Sequence, residues 1–256
     1  MQNKKILYVT TELHPYQEDS NMGTMVNKMA LKMHQAGNDV RVFMPRFGSI
    51  SERKFQLHEV IRLSGMNIII NDLDQPLIIK VASLPGERLQ VYFIDNDEYF
   101  KRKHYYGDDE TSFFEDNDER AIFFARGVIE TIKKLNWVPD VIHLNGWMSA
   151  FIPIYLKTFY KKDSYFNDTK IVMSLYNEDK VPFSNNIEEK LRFDNISNFT
   201  SLENPSSETF LLESVEFVDV VLKGDEFLEG DLDEKFNSTT VQKSEYLGSD
   251  SFNKIY

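Results

Sequence analysis

Lys5-Ile6-Leu7-Tyr8-Val9-Thr10-Thr11-Glu12 begins the stretch whose reading decides the fold, and Val40-Arg41-Val42-Phe43-Met44-Pro45 closes it. Ile6 to Val9 is an unbroken apolar run, as expected of a parallel strand buried on both faces. Thr10 to Ser20 contains Pro15 and has the character of a loop. From Met22 the apolar residues recur at helical spacing: Met22, Met25, Val26, Met29, Ala30, Met33. Gly37-Asn38 stops that helix, because both residues tolerate the left-handed backbone of a C-cap. Val40 to Met44 is a second strand. The stretch is one βαβ unit, and its first loop lies at the carboxyl end of a strand, where doubly wound sheets bind ligands.

The rest of the chain extends this pattern. Leu57 to Leu63, Met66 to Ile70, Leu77 to Ala82 and Leu89 to Ile94 are four β-like runs, and the polar residues 71–76 make a β-hairpin insert of the middle pair. Asp95 to Ser112 is a polar, aromatic-rich loop long enough to suggest function. Asp116 opens a long helix, with Glu119 three residues on in the manner of a capping box. Val141 to Leu144 and Lys170 to Leu175 are further strands, separated by a helix over Ala150 to Tyr160. Tyr176 to Asn204 has no period. Phe210 to Phe217 is a helix and Val218 to Leu222 a last strand. We divide the chain into a domain over 1–225 and an acidic tail or docking segment over 226–256. Strands alternating with helices predict an α/β, three-layer Rossmann-like parallel sheet.

The sequence has 256 residues, 41% hydrophobic and 27% charged, enough to build a core without staples. It has no cysteine, which excludes disulfides, thiolate metal sites and a cysteine nucleophile. The formal net charge of -12 argues against nucleic-acid binding, which needs clustered Lys and Arg. No apolar stretch is long enough to span a membrane, and the expected location is cytoplasmic. No P-loop, Ser-His-Asp order or zinc spacing is present.

Several pieces then fall into one order. Residues 5–12 with Pro15-Tyr16 resemble the opening of bacterial glycogen and starch synthases, and so does the run 37–47. Val91 to Asn96, Asp116 to Phe124, Asp140 to His143, Trp147, and Pro153 to Lys157 match further on. Ser174 to Asn177 and Val218 to Val221 complete the series. The resemblance covers residues 4 to 225, and the order and spacing together carry it. It implies one half of a GT-B glycosyltransferase fold, the N-terminal of two Rossmann-like domains that face each other across a cleft. Such enzymes move glucose from ADP-glucose to the end of an α-1,4-glucan. The resemblance therefore implies an α-glucan or ADP-glucose as ligand, and a protein partner supplying the second Rossmann-like half. It implies no metal and no cofactor.

The family's most diagnostic motifs are altered. Where members carry Lys-Thr-Gly-Gly in the first loop, this chain has Glu18-Asp19-Ser20-Asn21. Lysine and close backbone amides suit a phosphate. Carboxylates repel one, by on the order of 1 to 4 kcal/mol per charge pair at surface-like dielectric. After the third parallel strand the family reads His-x-His-Asp-Trp-His, and here the run is His143-Leu144-Asn145-Gly146-Trp147-Met148. A family His at the next strand end is Tyr176, while Asn177 is kept. The candidate substrate-binding residues are Asp116, Asn117, His143, Asn145, Trp147 and Asn177, and none is assigned a catalytic role. Each has a competing structural role: His143 as a hydrogen-bonded strand residue, Trp147 as packing, Asp116 as a helix cap. Asp116-Asn117-Asp118 also fits the Asp-x-Asp metal pattern, which we discount because the resemblance points to a metal-free class. The acidic residues 107 to 119 are expected to be a solvated loop. The chain is thus expected to be inactive alone in glucan synthesis, with a non-catalytic glucan- or partner-binding module as the alternative.

Overall fold

The structure, a computed structural model, describes residues 3–108, 113–246 and 255–256. In β1 (Lys5–Thr10), Ile6, Leu7, Tyr8 and Val9 are all at most 1% exposed. A strand covered on both faces has no reason to alternate polar with apolar residues. α1 (Asn21–Gln35) buries the methionine stripe predicted for it. It ends in a Schellman motif: the Gly37 N–H donates to the His34 carbonyl, and the Asn38 N–H to the Met33 carbonyl. β2 (Asp39–Pro45) pairs parallel with β1, Tyr8 opposite Val42.

A single turn, α2 (Glu52–Phe55), precedes β3 (His58–Glu59), β4 (Met66–Ile70), β5 (Leu73–Ser83) and β6 (Gln90–Asp95). The run Leu57 to Leu63 keeps only two residues in the sheet. The Leu63 N–H donates to the Val60 carbonyl, which turns the chain and leaves Ile61 83% exposed. β4 and β5 form the predicted hairpin through Asn71 and Asp72, both at positive φ, as a tight two-residue turn requires.

The remaining elements are α3 (Asp97–Phe100), α4 (Asn117–Leu135), β7 (Val141–Asn145), α5 (Phe151–Lys157), β8 (Lys170–Leu175), α6 (Ile187–Phe193), α7 (Ser207–Ser214), β9 (Val220–Lys223), α8 (Gly230–Ser238) and β10 (Gln242–Ser244). The sheet runs β10-β9-β8-β7-β1-β2-β6-β5-β3, with β4 pairing β5. From β10 to β6 every pairing is parallel, whereas β5 runs antiparallel to β6, β3 and β4. The fold is the mostly parallel α/β sheet with a hairpin that the sequence predicts. β1 and β7 are neighbours, so the loops leaving them meet at one edge of the sheet.

Three expectations change. Asp116 does not cap α4 with its side chain, because Arg102 takes both its oxygens, at 2.6 and 2.5 Å. The acidic stretch 107 to 119 is not simply solvated: Asp118 is fully buried and pairs with Lys190 at 3.0 Å. Its residues 109–112 lie outside the described residues. The segment 176–204 holds α6, whose Lys190 is the cation paired with Asp118. Within the segment 226–256, expected as an acidic tail or docking segment, α8 buries Leu232 and Phe236 one turn apart and β10 adds a parallel strand beside β9. The apolar period there is too short to see in sequence.

Candidate functional site

The cleft opens at the carboxyl ends of the central strands. β1 leads into Glu12, β7 into Gly146 and Trp147, β8 into Tyr176 to Asp179, and β9 into Asp225. The start of α1 and Tyr106 close the sides. It encloses about 280 Å³. Two glycines let these loops meet. Gly146 has φ +84, and a Cβ there would lie 2.0 Å from Thr11 Oγ1. At Gly224 a Cβ would lie 2.5 Å from the Tyr176 ring.

Trp147 is 2% exposed, and its ring packs edge-on to Tyr106 with centroids 5.1 Å apart. Its backbone N–H donates to Glu178 Oε2 at 3.4 Å. Among the described residues its indole Nε1 has no hydrogen-bond partner, and neither has the buried Oε1 of Glu178. Burial, and then the carboxylate of Glu12, push the Glu178 carboxyl up to about 8. Glu178 is therefore largely protonated at neutral pH. Glu12, Asp179 and Asp225 add further acidity, and among the described residues neither Lys nor Arg lines the cleft.

The altered loop is tied into this mouth. Ser20 caps α1, its Oγ accepting from the Gly23 N–H at 2.9 Å. Asn21 donates from Nδ2 to the Asp225 carboxylate and to the Gly224 carbonyl. Asp19 pairs with His14 at 2.5 Å. Glu18 is exposed, and neither it nor Asp19 lines the cleft. Asn177 lines it, but its side chain donates to the Phe227 carbonyl at 2.8 Å and accepts from the Glu229 N–H at 3.0 Å. Its own N–H donates to Asp225 at 2.7 Å. Asp225 thereby joins α1 to the end of β8.

The other predicted residues lie behind this wall. His143 is fully buried between Tyr256 and Ser174, at 2.6 Å from Nδ1 and 2.7 Å from Nε2. Burial pushes its pKa down to about 3, so the ring is neutral. Asn145 is fully buried; its Nδ2 donates to the His143 carbonyl at 3.2 Å and its Oδ1 accepts from the Tyr176 hydroxyl at 3.3 Å. Asn117 donates to the Tyr106 carbonyl at 2.7 Å and accepts from Arg120 at 2.6 Å. It holds the loop that places Tyr106 in the cleft. Asp116 and Asp118 pair with different cations, Arg102 and Lys190, so they do not form a shared metal site. Among the described residues no group of His, Asp or Glu is placed to hold a metal ion, and no helix is long and apolar enough to cross a membrane.

Sequence reasoning missed Glu12, Tyr106, Tyr176, Glu178, Asp179 and Asp225 as cleft residues. A signal for several of them was available: Glu12, Tyr176 to Asp179 and Asp225 follow the carboxyl ends of parallel strands. Tyr106 carries no such signal, because a long loop brings it in.

The sequence model of the starch synthase catalytic domain family matches residues 5–228. The glycogen synthase of Chlorobium limicola is 37% identical over 176 residues, covering 68% of this chain and 36% of the relative. That of Chlorobium luteolum is 36% identical over 180 residues, with the same shares. The chain thus spans little more than a third of the length of these relatives. The solved catalytic domain of starch synthase IV from Arabidopsis thaliana bound to ADP and acarbose superposes with a TM-score of 0.69. That superposition covers 86% of this chain and 45% of the other at 17% identity, which speaks to fold alone. With the sheet order, the first βαβ unit and the family match in agreement, the chain belongs to the starch synthase catalytic domain family.

Proposed function

We propose that this domain serves α-1,4-glucan metabolism by holding a sugar in the cleft beside Trp147, and that it does not by itself transfer glucose from ADP-glucose. One observation carries the reading. The cleft offers aromatic edges and hydrogen-bonding groups suited to a sugar, yet among the described residues no lysine or arginine lines it to neutralise a diphosphate. The loop that bears lysine and glycines in the relatives is here tied down through Ser20 and Asn21. Glucan binding without transfer follows from this charge balance.

A second reading has a specific observation behind it. Phe227 is 75% exposed at the edge of the cleft, with its carbonyl fixed by Asn177. A protein carrying a second Rossmann-like half would cover that ring and supply the missing cations. One assay addresses both. Pure chain is incubated with ADP-glucose and a glucan primer, with and without lysate of its source organism. No turnover by the pure chain is expected. Turnover that appears only with lysate supports the partner; turnover by the chain alone overturns the proposal.

A further inference from the structure

We infer that two copies of this chain associate through the face formed by the β4–β5 hairpin, the end of α5 and the end of α6. This goes beyond the sugar site, since none of the residues involved lines the cleft. Arg126 draws the three segments together. Its Nη1 donates to the Ile69 carbonyl at 2.6 Å and to the Asp194 carboxylate at 3.1 Å, and its guanidinium carbon lies 5.0 Å from the centre of the Phe159 ring. Arg126 is itself buried, yet large apolar side chains around it stand in water: Ile69 is 41% exposed, Phe159 42%, and Phe193, next in sequence to Asp194, 48%. A single exposed apolar residue needs no explanation, but three gathered around one buried cation form a patch.

Charge is divided across this patch. The hairpin side carries Asp72 in the turn and Asp74, which sits opposite Ile69 so that both side chains leave on one face. The other side carries Lys157, Lys161 and Lys162, which bracket Phe159 in sequence. All five charged residues are exposed, and among the described residues none of them forms an ion pair within the chain. A two-fold axis through the apolar centre lays the acidic hairpin of one copy on the lysines of the other, and repeats the contact in reverse. The apolar side chains then meet at the middle and the charges form the rim. This self-complementarity is what selects a second copy as the occupant. The formal charge of -12 on each copy opposes contact, but at physiological ionic strength charges more than about 8 Å apart are largely screened, so the facing charges decide.

The test is sedimentation equilibrium of the full chain at physiological salt. A dimer is expected, with a dissociation constant on the order of 10 μM, as suits a small interface. Charge reversal makes the test specific. Asp72→Lys with Asp74→Lys sets like charges against each other in the homodimer, and so does Lys157→Glu with Lys161→Glu and Lys162→Glu. Each set is expected to weaken self-association by about tenfold or more. Mixed in equal amounts, the two reversed chains are expected to form a heterodimer, because every reversed group then meets its opposite. Phe193→Ser, at the apolar centre, is expected to lose dimerisation as well. All these side chains are exposed, and circular dichroism checks that each variant keeps its fold. A wild-type chain that stays monomeric up to on the order of 100 μM would overturn the inference. So would a dimer that both reversals leave intact, or reversed chains that fail to associate when mixed.

Discussion

Glu178 makes the structure sensitive to pH. Its folded pKa of about 8 lies above the ordinary carboxyl value of 4.5, so the folded chain binds the proton more tightly than the unfolded chain. Stability therefore falls as pH rises from 4.5 through 8. Glu178→Gln removes that loss. It is expected to gain on the order of 1–3 kcal/mol at alkaline pH, once partial solvent exposure is allowed for, and nothing in acid. Urea melts of both proteins across pH check this. His143 works in the opposite sense. Its folded pKa of about 3 lies below the ordinary imidazole value of 6.5, so stability is lost as pH falls through that window. Tyr256→Phe leaves both the Tyr8 hydroxyl and His143 Nδ1 short of a partner, and is expected to cost about 1–3 kcal/mol in a chemical melt.

At the scale of elements, the start of α1 is fastened at two points. Ser20 and Asn21 fasten it to its own cap and to Asp225. Replacing residues 18–21 with the family's Lys-Thr-Gly-Gly puts glycine at both positions. The chain is expected to lose about 1 kcal/mol, from the lost link and the flexibility of two glycines, measured as a lower denaturation midpoint. The added lysine tightens ADP-glucose binding only slightly while Glu12, Asp179 and Asp225 remain. Adding Asp225→Asn to the same variant gives the larger gain, and titration with ADP-glucose of the two variants side by side reads the difference. Gly146→Ala forces a methyl into Thr11 at a positive φ. It is expected to destabilise by more than about 2 kcal/mol, because the β1 and β7 loops cannot separate without opening the cleft.

For the whole molecule, legibility in sequence followed the physics of each segment. β1, α1 and β2 were legible because full burial leaves a continuous apolar run and a one-sided stripe leaves a helical period. The family order extended that to the sheet. The tail was not legible, since α8 anchors through two side chains and β10 is a short edge strand. Candidate site residues divided by depth. Trp147 and Asn177 reach the cleft, while His143, Asn145 and Asn117 are committed to hydrogen bonds behind it. Motif position shows which strand end a residue occupies, but not whether its polar atoms are already satisfied. The strand-end positions of Asp225 and Glu178 can be read from sequence, but their proximity to each other and to Glu12 needs three dimensions. The central claim is that the cleft accepts sugar and rejects the sugar nucleotide. Calorimetric titration of the pure chain with a maltooligosaccharide and with ADP-glucose, under one set of conditions, tests it most directly. The account predicts saturable binding of the oligosaccharide and none of ADP-glucose. Tighter binding of ADP-glucose than of the oligosaccharide would contradict it.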